Sequence, residues 1–276
     1  MSELSIAALA LLFIGLLGTG LVSGTLAGLL GVGGGIIIVP VLYYLFTAFE
    51  FSDAITMHLS VATSLAVIVP TSVSSARAHH KKGAVDIELL KSWGPWIVFG
   101  AAFGGFLSKY LNTENLLIIF GVIALVMSIN LMLPKTPVVA KAVPKNLLTT
   151  AVVSAPIGLL SSLMGIGGGS IAVPVQAMCS IAIHKAVGTA AVFGLFIALP
   201  GALGFLWSGL GVAGRPIASL GFISGPAFLL IGITSVMAAP FGSGLAHRLN
   251  GLMLRRVFAV FLLLSSMNML VTAWQQ

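Results

Sequence analysis

His58, Thr63 and Ser64 stand in the stretch HLSVATS (58–64), and His184 and Thr189 stand in HKAVGTA (184–190), at an offset of 126 residues. In both stretches a histidine opens an apolar segment and a threonine follows five positions later. A hydroxyl about one and a half turns into such a segment can donate to an anion held near its middle, and Ser60 and Ser64 lie close by. Histidine titrates near neutral pH, so His58 and His184 are candidate groups for coupling a proton. Each of these residues also has a packing reading. Helical hydroxyls bond back onto the preceding turn, and a histidine at a segment start also suits an interface.

The glycines repeat in the same way. GVGGGIIIVPV (31–41) matches GIGGGSIAVPV (165–175) at an offset of 134 residues. Three glycines in a row weaken a helix, yet both clusters fall inside long apolar runs. After Gly35 and after Gly169 a helical apolar pattern resumes, with Pro40 or Pro174 about five residues in. The pattern predicts that one helix ends and a fresh one begins at each cluster. A proline that early should cost little, because the first N–H groups of a helix have no partner. A helix start presents those N–H groups and a partial positive charge, and glycine lets the backbone approach a ligand closely. The chemistry predicted is anion binding. The candidate substrate-binding residues are Gly33, Gly34, Gly35, Gly167, Gly168, Gly169, Ser170, Thr63, Thr189 and Ser64. Ser170 opens the second helix where Ile36 opens the first, so such a pocket would be asymmetric. The competing reading is a tight re-entrant turn or a close helix crossing. Neither cluster completes the GxGxxG dinucleotide fingerprint.

The elements that must position these residues follow from composition. Of 276 residues 58% are hydrophobic and 7% are charged, with a mean hydropathy of +1.15. Soluble domains carry roughly 25% charged residues, so this is an all-α polytopic membrane protein. A span needs about 20 residues, which leaves room for eight to ten. The apolar segments run at about 4–30, 36–49, 54–75, 92–111 and 115–133, then 147–164, 170–183, 185–208, 217–247 and 252–274. A third pair of blocks, FGGFLSKYLN (103–112) and FGSGLAHRLN (241–250), joins the first two in the same order. The chain therefore divides into a first transmembrane repeat (1–133), a linker (134–146) and a second transmembrane repeat (147–276).

Five segments per half predict inverted repeats, with the glycine-broken helices, re-entrant or discontinuous, meeting near the midplane. Charge agrees with this. The basic clusters Arg77/Lys81/Lys82, Lys135/Lys141/Lys145 and Arg248/Arg255/Arg256 all fall on one side, which the positive-inside rule assigns to the cytoplasm. Glu50 and Asp53 then lie outside, as do both termini; only Lys109 and Arg215 break the pattern. Gly20, Gly24 and Gly28 correspond to Ser154, Gly158 and Ser162. Their spacing of four predicts close helix packing rather than a site. Asn130 and Asn268 are expected to hydrogen-bond between helices.

All six carboxylates (Glu3, Glu50, Asp53, Asp86, Glu88, Glu114) fall in the first half, at segment ends or in loops. A carboxylate proton relay or an acid-built cation site is therefore disfavoured. His79–His80 is a pair without further ligands and HExxH is absent, so no metal and no cofactor is expected. Cys179 is the single cysteine, which excludes an internal disulfide. The expected partners are a small anion, the lipid bilayer, and protons or sodium as coupling ion; nothing points to nucleic acid. Three classes fit in descending order: a carrier, an anion channel, and an intramembrane hydrolase pairing Ser170 with His184. The last lacks GxSxG.

The duplicated glycine blocks with V-P-V, the SVATS and AVGTA segments and the HHKKGAVD loop resemble the sulfite exporter TauE/SafE family of bacterial permeases over nearly the whole chain. The resemblance implies a multi-pass protein of the bacterial cytoplasmic membrane. It also implies export of small sulfur-containing or organic anions such as sulfite, a sulfonate or sulfoacetate. In a Cys179→Ser background, Arg77→Cys and Arg248→Cys are expected to react with a membrane-impermeant thiol reagent from the same face. Labelling from opposite faces would overturn the topology.

Overall fold

The computed structural model describes residues 6–31, 33–133, 138–140, 143, 146–245 and 251–275, with the backbone alone for 6–10 and 251–258. Glu3, Arg248 and the linker lysines Lys135, Lys141 and Lys145 lie outside the described residues, as does the second half (246–250) of the block at 241–250. The first half contains α1 (Ile6–Leu30), α2 (Gly35–Ala48), α3 (Asp53–Lys81), α4 (Ile87–Leu107) and α5 (Thr113–Met132), with a short 3-10 turn at Ser108–Tyr110. The second contains α6 (Leu147–Met164), α7 (Gly169–Met178), α8 (Ile183–Ser208), α9 (Gly225–Leu245) and α10 (Gly251–Gln275). A small antiparallel hairpin, β1 (Ser219–Leu220) with β2 (Ile223–Ser224), precedes α9.

The helix starts follow local chemistry. Asp86, Asn112 and Asn146 cap α4, α5 and α6, each accepting a backbone N–H from the first turn. Asp53, Glu88 and Glu114 sit in first turns, where the helix dipole favours a negative charge. Six of the described helices are long and apolar enough to cross a bilayer. α2 and α7 have 14 and 10 residues. At about 1.5 Å per residue both fall short of a core about 30 Å thick. They are therefore too short to cross alone, and the eight longer α-helices are the ones left to count against the expected eight to ten.

Other boundaries also differ from the sequence reading. The segment expected over 217–247 becomes helical only at Gly225, because Gly221, in the left-handed region at φ +57°, turns the hairpin first. α3 runs on to Lys81, and α7 stops at Met178 rather than 183. Pro40 and Pro174 are each the sixth residue of their helix, beyond the four starting N–H groups. Each therefore removes one intrahelical bond, contrary to the expectation of little cost.

Helix partners are exchanged between the halves. Gly20, Gly24 and Gly28 of α1 lie against the backbone of Ile231, Ser235 and Ala239 of α9, so these helices run parallel. In the same way Gly100 and Gly104 of α4 lie against Ala155 and Leu159 of α6, and Gly158 lies against Ile97 and Ala101. The small-residue stripes thus serve close packing, as their spacing indicated. α3 and α8 cross antiparallel: Leu65 meets Gly201 and Ser72 meets Gly194. α5 and α10 also run antiparallel, with Gly121 beside Leu270 and Ser128 Oγ donating to the Ala259 carbonyl (2.7 Å). α3 is the most enclosed of the spans. Large apolar side chains such as Phe103, Phe241 and Trp274 face outward, as a lipid-solvated surface requires. Asn268 accepts from the Thr272 hydroxyl one turn on, within α10.

A side chain at Gly28 would collide with the Ala239 carbonyl, whereas one at Gly18 meets nothing within 4 Å. Gly28→Leu is expected to cost at least about 1–3 kcal/mol through overpacking. It should lower the melting midpoint in detergent, while Gly18→Leu leaves it within a few degrees.

Candidate functional site

The two glycine clusters touch. A Cβ placed on Gly33 would sit 3.2 Å from the Gly167 Cα, and one on Gly35 would collide with the Gly165 carbonyl and lie 2.9 Å from the Ile166 Cα. Both clusters are fully buried. Gly31, Gly33 and Gly34 have φ of +67°, +76° and +79°, a left-handed run that carries the chain out of α1 and into α2. At the second break Gly165 alone is left-handed (φ +69°), and Gly168 takes ordinary helical angles before α7. The Ile37 and Ile38 N–H groups already donate to the Gly34 carbonyl, and the Ala172 N–H donates to that of Gly168. The remaining first-turn amides, those of Gly35, Ile36, Gly169, Ser170 and Ile171, are the ones that lack an intrahelical acceptor.

α3 and α8 hold the clusters from either side. Gly31 packs on the Val187 carbonyl of α8, and Gly165 packs on Val61 of α3, where an added Cβ would lie 2.9 Å from the Val61 Cα. Val61 and Val187 are matched positions in the two halves, so each break leans on the long helix of the other half. Ser64 Oγ donates to the Gly165 carbonyl (2.7 Å), tying α3 to the second break. Ala190 stands at the place matching Ser64, so the first break has no such tie. The helical sites therefore meet, but in a closed arrangement with backbone against backbone.

Thr63 and Thr189 do something the sequence does not reveal. The Thr63 hydroxyl accepts the Ser224 N–H (2.9 Å), and the Thr189 hydroxyl accepts the Asp86 N–H (2.9 Å). Each threonine thus receives the backbone that enters the fourth helix of the opposite half. Their partners are peptide groups at helix entrances, not the glycine clusters.

His58 and His184 part company. His58 is buried, its Nε2–H shared between the Leu111 and Ser108 carbonyls (3.1 and 3.3 Å), and its ring packs on Phe222 (4.9 Å between centroids). His184 is exposed. The two therefore have different surroundings despite matched positions. Ser170 Oγ makes no hydrogen bond among the described residues, so the Ser170–His184 pair that a hydrolase would need does not form. The half-buried Cys179 follows α7, and burial pushes its thiol pKa up, which makes it a poor nucleophile.

Two participants were missed from sequence. Ser72 is buried on α3 with its hydroxyl unbonded among the described residues, and it faces Gly194 of α8. His79, in the last turn of α3, is buried, and its Nε2–H donates to the Gly28 carbonyl (2.9 Å) in the last turn of α1. No local signal marks either, because both depend on which helix packs opposite. A surface cleft of about 300 Å³ lined by Lys91, Trp96 and Thr150 lies between α4 and α6. It is at the opposite end of α6 from the glycine cluster.

A family model for the sulfite exporter TauE/SafE matches residues 16–269. A Haemophilus influenzae protein described as a probable membrane transporter protein is 34% identical over 252 residues, covering 91% of this chain and 95% of that one. Bacillus subtilis YunE, described in the same words, is 29% identical over 71% of this chain and 79% of its own. Methanocaldococcus jannaschii MJ0441, again a probable membrane transporter protein, is 25% identical over 91% and 93%. No solved structure matches the chain. With both glycine clusters and all of α2 to α9 inside the matched region, the chain belongs to the sulfite exporter TauE/SafE family of membrane transporters.

Proposed function

We propose that the protein carries a small sulfur-containing or organic anion, such as sulfite, a sulfonate or sulfoacetate, out across the bacterial cytoplasmic membrane. Transport proceeds by alternating access around the paired starts of α2 and α7. The observation that carries the reading is the direct contact of the two glycine clusters, Gly33 against Gly167, on two helices too short to span. Helix starts of this kind favour negative charge, and broken half-helices mark the sites of inverted-repeat transporters. The antiparallel crossing of the matched helices α3 and α8 supports inversion of the halves, because an axis in the membrane plane relates copies in opposite directions. The chain beyond α5, residues 134–146, then links the repeats on the cytoplasmic side.

The closed backbone contact is one state of that cycle, and the anion enters when the clusters separate. Gly33, Gly34, Gly35, Gly167, Gly168 and Gly169 supply the approach, and Ser170 a hydroxyl. Ser64, Thr63 and Thr189 hold the surrounding backbone. Coupling by protons runs through His58, whose buried ring bridges α3 and the connection to α5; His184 is the exposed counterpart, and sodium is the alternative coupling ion. An anion channel is the second reading. Saturable uptake and counterflow distinguish the carrier.

Full-length protein in liposomes is expected to move at least one of sulfite, ethanesulfonate and sulfoacetate, with saturation. Movement of none would overturn the reading. A Cβ on Gly34 would meet the Ser23 carbonyl at 2.6 Å, and one on Gly168 would meet Phe193 at 2.8 Å. Gly34→Leu and Gly168→Leu are expected to abolish transport while the protein still inserts, and wild-type rates in both would remove the clusters from the site. His58→Gln, which keeps an N–H donor, is expected to flatten any dependence of transport on pH between 5 and 8.

A further inference from the structure

The two helix starts are not equivalent. Beside the first, Ile68 of α3 fills the crevice. Its side chain would lie 3.0 Å from a Cβ on Gly33 and 2.8 Å from one on Gly35. Ile36 opens the helix there, so this start is lined by hydrocarbon. At the same offset of 126 residues, the position of Ile68 becomes Gly194 of α8. Gly194 has no side chain, and a Cβ there would meet the Ser72 side chain (Oγ at 2.5 Å, Cβ at 3.4 Å) and the Gly168 amide nitrogen at 3.8 Å. The Gly194 amide nitrogen in turn lies 3.0 Å from a Cβ position on Gly168.

Two hydroxyls at this second start make no hydrogen bond among the described residues: Ser72, 1% exposed, and Ser170, 3% exposed, in the first turn of α7. Ser161, in the last turn of α6, is a third such hydroxyl, whereas several others in the core bond back one turn. Ser60 donates to Thr56, Thr71 to Val67 and Ser154 to Thr150. That bond is the usual refuge of a buried serine, and leaving a buried donor unmade is costly. Ser72, next to Thr71 on the same helix, takes neither that bond nor another.

We infer that the protein has one anion subsite and not two, at the start of α7, and that Ser72 of α3 is a substrate-binding residue there. The ligand is a small sulfur oxyanion. Its oxygens accept from the Ser72 and Ser170 hydroxyls and from the first amides of α7. The bare Gly194 leaves the space in which Ser72 reaches them. The start of α2, sealed by Ile68 and Ile36, is the hydrophobic wall against which the subsite closes. Because a methyl group on Gly194 already meets Ser72, the anion enters only as α3 and α8 move apart, which alternating access supplies. This inference rests on the anion-carrier reading.

The test uses full-length protein and sulfite as the probe, with transport in liposomes and melting in detergent. Ser72→Ala is expected to raise KM for sulfite about tenfold or more, the loss of one hydrogen bond to a charged ligand. The variant without sulfite should melt at or above the wild-type temperature, because an unmade buried hydroxyl has been removed, and the rise in melting temperature on adding sulfite should shrink. Gly194→Ala should raise KM as well. Gly18→Leu, where a side chain meets nothing within 4 Å, should leave KM unchanged. A wild-type KM in Ser72→Ala, with transport still lost in Gly168→Leu, would overturn the role of Ser72 and leave the carrier reading standing. A lower melting temperature for sulfite-free Ser72→Ala would also overturn it, since the hydroxyl would then have a structural partner. Failure of the wild type to move or bind any anion of the panel would overturn both.

Discussion

A Cβ on Gly33, itself in the left-handed region, would sit only 3.2 Å from the Gly167 Cα, and the arrangement of the helices around them depends on this contact. Backbone meets backbone only where both chains lack Cβ atoms, so the glycines must be duplicated for the two breaks to meet. Once they meet, α2 and α7 point away from a shared centre, and their short lengths follow. A helix that begins inside the fold needs only part of the bilayer thickness to reach its far side. The long helices α3 and α8 are then required as walls, each pressed against the break of the other half at Val61 and Val187.

The second constraint is the scarcity of water at membrane depth, where every exposed peptide group must find a protein partner. The hydroxyls of this chain meet much of that demand. Ser64 takes the Gly165 carbonyl, Ser75 and His79 take the carbonyls of Ala27 and Gly28 at the end of α1, and Thr63 and Thr189 accept the N–H groups that enter α9 and α4. Lys82 reaches the Ser243 carbonyl in the last turn of α9, where a cation also suits the helix dipole. Nearly all of these bonds cross between helices. They explain why serine and threonine are common in a chain with so few charges, and why most of them are not ligands.

Against that background the exceptions stand out. Ser72, Ser161 and Ser170 are buried helical hydroxyls without a hydrogen bond among the described residues; Ser161 ends α6, Ser170 opens α7 and Ser72 looks across at Gly194. The two halves share a backbone plan, yet one start is sealed with isoleucine and the other is lined with serine and glycine. The matched positions differ at a few residues, Ile36 against Ser170 and Ile68 against Gly194.

Much of the fold was legible in the sequence because it rests on local rules. Ten helical segments, the breaks at the glycines and the packing role of the stripes Gly20–Gly24–Gly28 and Ser154–Gly158–Ser162 follow from apolar periodicity, glycine conformation and spacing of four. The sequence also located the acids at segment ends, where Asp86 and Glu114 indeed serve helix starts. Tertiary structure alone decided what each polar side chain faces. Thr63 and Thr189 bind peptide groups from the opposite half, His58 is buried while its counterpart His184 is exposed, and Ser72 looks across at Gly194. A repeat identifies matched positions, but their surroundings are set by residues 50 to 160 positions away. Helix pairing, not spacing along the chain, determines which hydroxyl finds a carbonyl and which is left unbonded.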